Sequence, residues 1–478
     1  MIIFPEKCQE LYLDMTYLQY LKKTYGIKNG VINDYLSIRD NHLYYMDIDL
    51  YEVANKYGTP LEMIYPQIID RRVNDVKRYF REAKKKHAYK GQYRYAYASK
   101  ANYYEETIHK VLKLGCDLET TSEYDARLAL YLKKQKSIKD SQWVLCNGFK
   151  LPGYGSVIKE LRSLHKNTIP IIENDRDLDV LEDIELPLSV GLRMKIDLKT
   201  TKRSSFEKIY NRFGYYASEL EVVADRIANK QNFSLKILHV MAGSQIEDAE
   251  LFKKVLLQAL EQYAILKEKN PSLCYLDIGG GLPVQYSLDF KFDYQNFINK
   301  LIRDFKRFCK KAGIEEPGII SEFGRYTVSD YASVLFNVEY EKEIKSRKED
   351  WYIVDGSIMT VLPDAWALGQ DFLLLPLNGY ERKTRNVWLA GITCDSDDVY
   401  RGSSKNKPLV LPETDDKLYL GFFGCGSYQA NISGIGGVHH CMLPEASELI
   451  VEKKKGKNQF NLITRKQSFK RVLKLLDY

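Results

Sequence analysis

A lysine closes an alternating aromatic run, Tyr93-Arg-Tyr-Ala-Tyr-Ala-Ser-Lys100-Ala-Asn102, and is the first candidate for chemistry. The period of two predicts a strand over 93–99, and Glu105-Glu-Thr-Ile-His-Lys-Val-Leu-Lys-Leu-Gly115 predicts a helix closed by glycine. An amine held at the carboxyl end of a strand, its stem among apolar neighbours, can lose its proton and act as a Schiff-base nucleophile. The plainer alternative is a surface lysine. What tells against it is the set of residues at equivalent strand ends.

Strand-like runs recur at 93–99, 116–121, 143–147, 169–174, 189–196, 234–242, 274–278 and 318–322, with helical patterns such as 156–164 and 248–267 between them. Parallel strands need crossovers of this length, so eight such repeats predict a parallel (β/α)8 TIM barrel. Active sites of such barrels form at the carboxyl ends of the strands. In order, those ends carry Lys100, Asp117 with Glu119, Asn147, Glu173, Arg193, Gly243-Ser244, Asp277 before Gly279-Gly280-Gly281, and Glu322 with Arg325. The glycine run exposes N–H groups and suits an anion, although three glycines alone are more often a simple turn. It follows the seventh strand and Arg325 follows the eighth, where the phosphate site of such barrels commonly lies. A lysine nucleophile, a phosphate cradle and a carboxylate point together to pyridoxal 5'-phosphate, with Glu322 paired to its ring nitrogen.

A chain of 478 residues is too long for one ordinary core and predicts two domains. Strand–helix alternation ends after Arg325, and short runs at 334–338, 351–354, 386–390, 418–422, 449–452 and 461–464 predict a second, antiparallel β-sandwich or β-barrel domain. Residues about 40–65, including 43–48 and the Gly58-Thr-Pro-Leu turn, are expected to add a strand before the barrel starts. The expected division is 1–65 as a segment of the β domain, 66–330 as the cofactor-binding barrel, and 331–478 as the C-terminal β domain. No run approaches the ~18 apolar residues of a membrane span. The start, Met1-Ile-Ile-Phe-Pro-Glu-Lys7, lacks a secretory pattern, and the scattered cysteines show no CxxC spacing. A cytoplasmic protein with reduced thiols, no membrane contact and no metal is expected. The net charge of +7 gathers in short runs such as Lys84-Lys-Lys86 and Lys453-Lys-Lys455 without a recognition motif, so solvated faces are expected and no nucleic-acid partner.

The ordered motifs YASKAN (97–102), LCNGFK (145–150), NRFG (211–214), AGSQ (242–245), LDIGGGL (276–282), EFGR (322–325), CDSDD (394–398) and GSYQ (426–429) carry a family likeness. From about residue 55 to 450 the chain resembles the fold type III pyridoxal-phosphate decarboxylases, the group of diaminopimelate, ornithine and biosynthetic arginine decarboxylases. Leu362-Pro-Asp-Ala-Trp366, Leu373-Leu-Leu-Pro-Leu377 and Ile392-Thr-Cys-Asp-Ser-Asp397 resemble the arginine branch, although this chain has no room for that branch's usual helical insertion and extension.

The resemblance implies that Lys100 carries the cofactor and Glu322 pairs with its ring nitrogen. Ser244, Gly280, Gly281, Arg325 and Tyr428 would surround the phosphate, and Asp117, Arg193 and Gly324 complete the expected cofactor-binding set. It further implies a homodimer with shared active sites, in which Cys394 reaches into the partner's site and protonates the α-carbon. Asp395, with Asp355, would meet a cationic end of the substrate. The alternatives are a turn-capping Asp355 and a core Cys394. The activity implied is decarboxylation of a basic amino acid, arginine to agmatine in polyamine biosynthesis first. Diaminopimelate, ornithine or lysine decarboxylation is the alternative, and outside enzymes a non-catalytic regulator of the same fold. Where the family has a histidine stacked on the cofactor this chain has Met241, and His239 is expected to be a packed histidine.

Overall fold

Eight strands, from Tyr93–Ala98 to Gly318–Ser321, each pair in parallel with their sequence neighbours, and the last pairs with the first to close the barrel. The computed structural model describes residues 14–196, 212–347, 349–401, 407–414 and 416–478. Ala96, Leu145, Ile169, Ile171, Ile237, Tyr275 and Ile320 on these strands, with Trp143 just before the third, form one buried apolar cluster. Trp143 meets Tyr275 edge-on with centroids 4.9 Å apart, and Arg94 and Lys236 lie 4.2 and 4.4 Å over the indole.

The crossover helices start and stop where their ends dictate. Ala249–Lys269 is capped by Asp248, whose carboxylate accepts from the Leu251 N–H. Tyr294–Ala312 is capped by Asp293 and stopped by Gly313 at φ 69°, a backbone state that favours glycine. Its buried face, Phe297, Ile298, Leu301, Ile302 and Phe305, recurs at helical spacing.

The described chain divides into two compact units. One is Ile68–Val284 with Lys291–Val328; the other takes the described residues up to Gln67, then Gln285–Phe290 and Ser329–Tyr478. The second unit holds a sheet ordered Val399–Tyr400, Thr384–Ala390, Glu349–Val354, Ala332–Ile344, Leu61–Ile64, Ser447–Lys454, Lys457–Thr464. It is mixed rather than antiparallel: Leu61–Ile64 runs parallel to Ser447–Lys454, and Glu349–Val354 parallel to Thr384–Ala390. Parallel neighbours require long connections, and these have them, the first spanning the barrel and the second the helices Ile358–Val361 and Pro363–Leu368. The 43–48 run is not one strand. Met46 takes φ 55° and turns the chain between His42–Tyr45 and Ile48–Asp49.

Candidate active site

Lys100 sits in a single 3₁₀ turn, Ser99–Ala101, directly after the first barrel strand. The turn is tied down on both sides. Ser99 Oγ donates to the Glu119 carbonyl at 2.9 Å, and Tyr97 donates its hydroxyl to the Asn102 carbonyl at 2.8 Å. Lys100 Nζ lies 3.8 Å from Glu119 Oε1, and the Glu119 side chain is fully buried.

A chain of polar contacts crosses the barrel mouth from there. Asn147 Nδ2 donates to Glu119 Oε1 at 2.8 Å and to Glu322 Oε1 at 2.9 Å. The other Glu322 oxygen lies 3.4 Å from His239 Nε2, and both side chains are buried. Ligand atoms of His239, Asp277 and Glu322 lie within 4.8 Å of one another, so the imidazole stands where a cation would otherwise neutralise the acids.

Three buried carboxyls this close cannot all ionise. Burial works to raise Glu322, but the charge and hydrogen bond of His239, then the charge of Lys100, outweigh it and hold the group well below the carboxylate range. Burial pushes Glu119 up to about 8 against the pull of Lys100, with the Glu322 charge adding to the rise. Burial and then Glu322 likewise raise Asp277. Glu322 is thus held toward its ionised form, while burial pushes its neighbours Glu119 and Asp277 toward their protonated forms.

This arrangement has a consequence for stability. An unfolded chain releases the Glu119 proton near 4.5, whereas the fold keeps it to about 8. The native state therefore binds the extra proton between those values, and the wild type loses stability as pH rises across them. Glu119→Gln lacks that proton. Its Tm without cofactor, measured from about pH 5 to about pH 8, is expected to fall less than the wild type's; parallel curves would show that Glu119 holds no such proton.

The glycine run follows the strand Tyr275–Asp277. Gly279 and Gly281 take φ 59° and 104°, and a Cβ on Gly279 would stand 2.5 Å from the Val240 carbonyl oxygen. The backbone here has no room for a side chain. Ser244 Oγ accepts from Arg325 Nε at 3.2 Å, and a Cβ on Gly324 would meet those of Ala98 and Ala101 at 3.0 and 2.9 Å. Arg193 Nη1 lies 3.1 Å from Glu173 Oε2, and its guanidinium stacks 4.7 Å over Phe213. Arg212 and Phe213 close the NRFG motif with Gly214, which donates to the Glu173 carbonyl at 3.2 Å; Asn211 lies outside the described residues.

Asp117 does not join this group. It opens its strand, Asp117–Thr120, and accepts two 2.7 Å hydrogen bonds from Arg94 plus one of 2.8 Å from the Trp143 N–H. Strand register explains the difference: Asp117 pairs with Ala96, whereas Glu119 pairs with Ala98, next to the lysine turn. Glu119 is thus the residue that reaches Lys100, and Asp117 pins the opposite end of the strand. His239 also differs from expectation, being paired with Glu322 rather than merely packed. Both share a cue visible in the sequence, a polar residue two positions along from a weighed one on an alternating strand.

A pyridoxal ring with its phosphate fits these donors. The amine of Lys100 suits its aldehyde, the Glu322 carboxylate its ring nitrogen, and the glycine turn with the Arg325–Ser244 pair its phosphate.

Comparison with known proteins agrees with the geometry. The family model for the pyridoxal-dependent decarboxylase pyridoxal-binding domain matches residues 73–329. The chain belongs to the pyridoxal-dependent decarboxylases. Pyridoxal phosphate is the cofactor of this decarboxylase. Among its relatives, the biosynthetic arginine decarboxylase of Prochlorococcus marinus (strain MIT 9215) is 24% identical, with 90% of this chain and 85% of that one covered. The structure of the biosynthetic arginine decarboxylase SpeA from Campylobacter jejuni superposes with TM-score 0.80 at 22% identity, covering 95% of this chain and 92% of that one. Diaminopimelate decarboxylase from M. jannaschii shares the fold with TM-score 0.78 at 20% identity, covering 93% and 98%.

The decarboxylase departs from the family pattern at Met241, whose Sδ accepts from the Gly280 N–H at 3.3 Å. The thioether therefore lies against the glycine cradle and takes one of its donors.

The sheet-bearing unit holds the remaining expected residues. Cys394 and Asp395 lie in a loop organised by Asp398, a residue sequence reasoning passed over. Buried Asp398 accepts from Thr393 Oγ1 at 2.8 Å, the Met359 N–H at 2.8 Å and Ser357 Oγ at 3.3 Å. Asp395 Oδ1 accepts from the Asp397 N–H at 2.8 Å, and its Oδ2 lies 3.5 Å from His440 Nε2. Tyr428 takes φ 70°, an uncommon state for an aromatic residue. Gln429 beside it is buried, donating to Asp364 Oδ2 at 2.9 Å and accepting from the Asp364 N–H at 3.2 Å. That exchange ties GSYQ to LPDAW.

Asp355 is committed elsewhere. One oxygen accepts from Thr59 Oγ1 at 2.6 Å and the other from the Asn337 N–H at 3.0 Å, so it clamps two distant chain segments rather than capping a local turn. Among the described residues, no helix is long and apolar enough to cross a membrane.

Proposed function

We propose that this decarboxylase converts arginine to agmatine, as a cytoplasmic homodimer with shared active sites. The observation that carries the substrate reading is Asp395: its loop is built around buried Asp398, and its Oδ2 already faces a cationisable imidazole. The matching relative from Prochlorococcus marinus, named a biosynthetic arginine decarboxylase, supports the same reading. A guanidinium offers parallel N–H donors to one carboxylate, which an ammonium cannot match.

When bound, pyridoxal phosphate supplies the sink for the electron pair left at the α-carbon as the carboxylate departs. The chain's own residues set the conditions. Lys100 provides the amine, and Glu322 holds a proton on the ring nitrogen because its own carboxyl stays ionised. Ser244, Gly281 and Arg325 would hold the phosphate oxygens, and Gly280 would join them once its N–H turns from Met241 Sδ. Cys394 delivers a proton to the α-carbon from the partner subunit, and Asp395 orients the far end of the substrate.

Asp395→Asn keeps the loop's shape and removes the charge. It is expected to cost roughly 2–4 kcal/mol in kcat/KM for arginine, with cofactor affinity little changed. Released CO2, followed across arginine, ornithine, lysine and diaminopimelate, reads kcat/KM, and titration of the apoenzyme with pyridoxal phosphate reads cofactor affinity. Diaminopimelate turned over best, or a variant as active as wild type, would overturn the arginine assignment. For the shared site, mixing Lys100→Ala and Cys394→Ala subunits should restore roughly a quarter of wild-type activity under statistical exchange. Proven exchange without rescue rejects it.

A further inference from the structure

Cys116, Cys146, Cys309 and Cys425 are buried thiols, whereas Cys274, Cys394 and Cys441 are exposed. Cys394 Sγ and Cys441 Sγ lie 3.5 Å apart, although 47 positions separate them in the chain. A second contact joins the same two segments one residue along, where His440 Nε2 meets Asp395 Oδ2 at 3.5 Å. Both sides of the pair are held. Asp398 anchors the Cys394 loop through Thr393, and Cys441 and Met442 take φ 60° and 56° in succession. Two side-chain-bearing residues in the left-handed region are uncommon and cluster at functional positions.

We propose that Cys394 and Cys441 are a reversible disulfide site, whose oxidation by a low-molecular-weight disulfide withdraws the Cys394 thiol from catalysis. The withdrawal rests on the role given to Cys394 above; the disulfide itself does not. An S–S bond of about 2.0 Å lies only a small closing movement from the observed contact. One thiolate of the pair attacks the oxidant's S–S bond, forming a mixed disulfide and releasing one small thiol. The second thiolate attacks the protein sulfur of that mixed disulfide, forms the Cys394–Cys441 bond and releases the other small thiol. Two protein thiols are oxidised, one small disulfide is reduced to two thiols, and the protons pass to the leaving thiolates.

The reduced state is suited to the decarboxylase. The hydrogen bond and charge of Cys441 raise the Cys394 thiol above its ordinary range. Cys394 therefore keeps a proton to give at neutral pH, which a disulfide sulfur does not have. On the single chain both sulfurs are exposed.

The test uses the reduced holoenzyme, freed of reductant and treated with oxidised glutathione, then digested without reductant. A Cys394–Cys441 cross-linked peptide, lighter by two hydrogens, is expected. Activity should fall on the order of a hundredfold, the size of a lost proton donor, and dithiothreitol should reverse both changes. Cys441→Ser should form no cross-link under the same treatment, while exposed Cys274 reports that the oxidant acted. Recovery of Cys394 and Cys441 as free thiols or separate glutathione adducts, with Cys274 modified, would overturn the site. A cross-link formed in full with activity unchanged would leave the site standing and remove Cys394 from the mechanism.

Discussion

Lys100→Ala is expected to lower turnover on the order of a thousandfold or more, because it removes the nucleophile proposed to hold the cofactor covalently. The turn that presents Lys100 is built for one position: Ser99 and Tyr97 pin it by hydrogen bonds of 2.9 and 2.8 Å. Lys150 is the rival on chemical grounds, since it is fully buried and burial lowers it. Its Nζ, however, donates to the Gly148 carbonyl at 2.6 Å and to the Ile171 carbonyl, with Asp177 at 3.8 Å. An amine so committed is held in place as a structural donor. Borohydride reduction of the loaded wild type, followed by peptide mapping, should place the pyridoxyl group on Lys100. The variant should bind the cofactor without covalent attachment, and label found on Lys150 would reject the assignment.

Glu322→Gln is expected to cost roughly a hundred- to thousandfold in kcat, the range seen when one preorganised electrostatic contact at a reacting centre is removed. The amide fills the same volume and can still meet Asn147, so the loss reports charge rather than packing. Without the carboxylate, the group proposed to keep a proton on the ring nitrogen is lost. His239 is then left with a neutral partner at 3.4 Å. Covalent attachment at Lys100 should persist, because the glycine cradle and the Arg325–Ser244 pair are untouched. The absorbance of the bound cofactor and kcat, measured on one preparation, separate the two effects. A variant with near wild-type kcat would mean that another group holds the proton.

Much of this protein was determined by local pattern. Eight strand–helix repeats admit few arrangements other than a closed parallel barrel, because each parallel pair needs its crossover and the strands must bury both faces. Lys100, Glu322, the glycine run and Arg325 were legible for the same reason, since each stands beside a strand end and strand ends define the mouth. Tertiary structure decided the rest. Asp117 and Glu119 are two residues apart on one strand, and only the register with Tyr93–Ala98 shows which of them meets Arg94 and which meets Lys100. His239 is separated from Glu322 by 83 positions, so their pairing depends on barrel closure. Asp355 looked like a substrate contact until the fold brought Thr59 and Asn337 to its two oxygens. The Cys394–Cys441 contact depends on a left-handed turn at Cys441 that no periodicity encodes. Local sequence sets which face a residue occupies and how far along its element it lies. Which partner it meets there is settled by distant segments packing together, and charge pairs, carboxylate protonation and thiol contacts all follow from that.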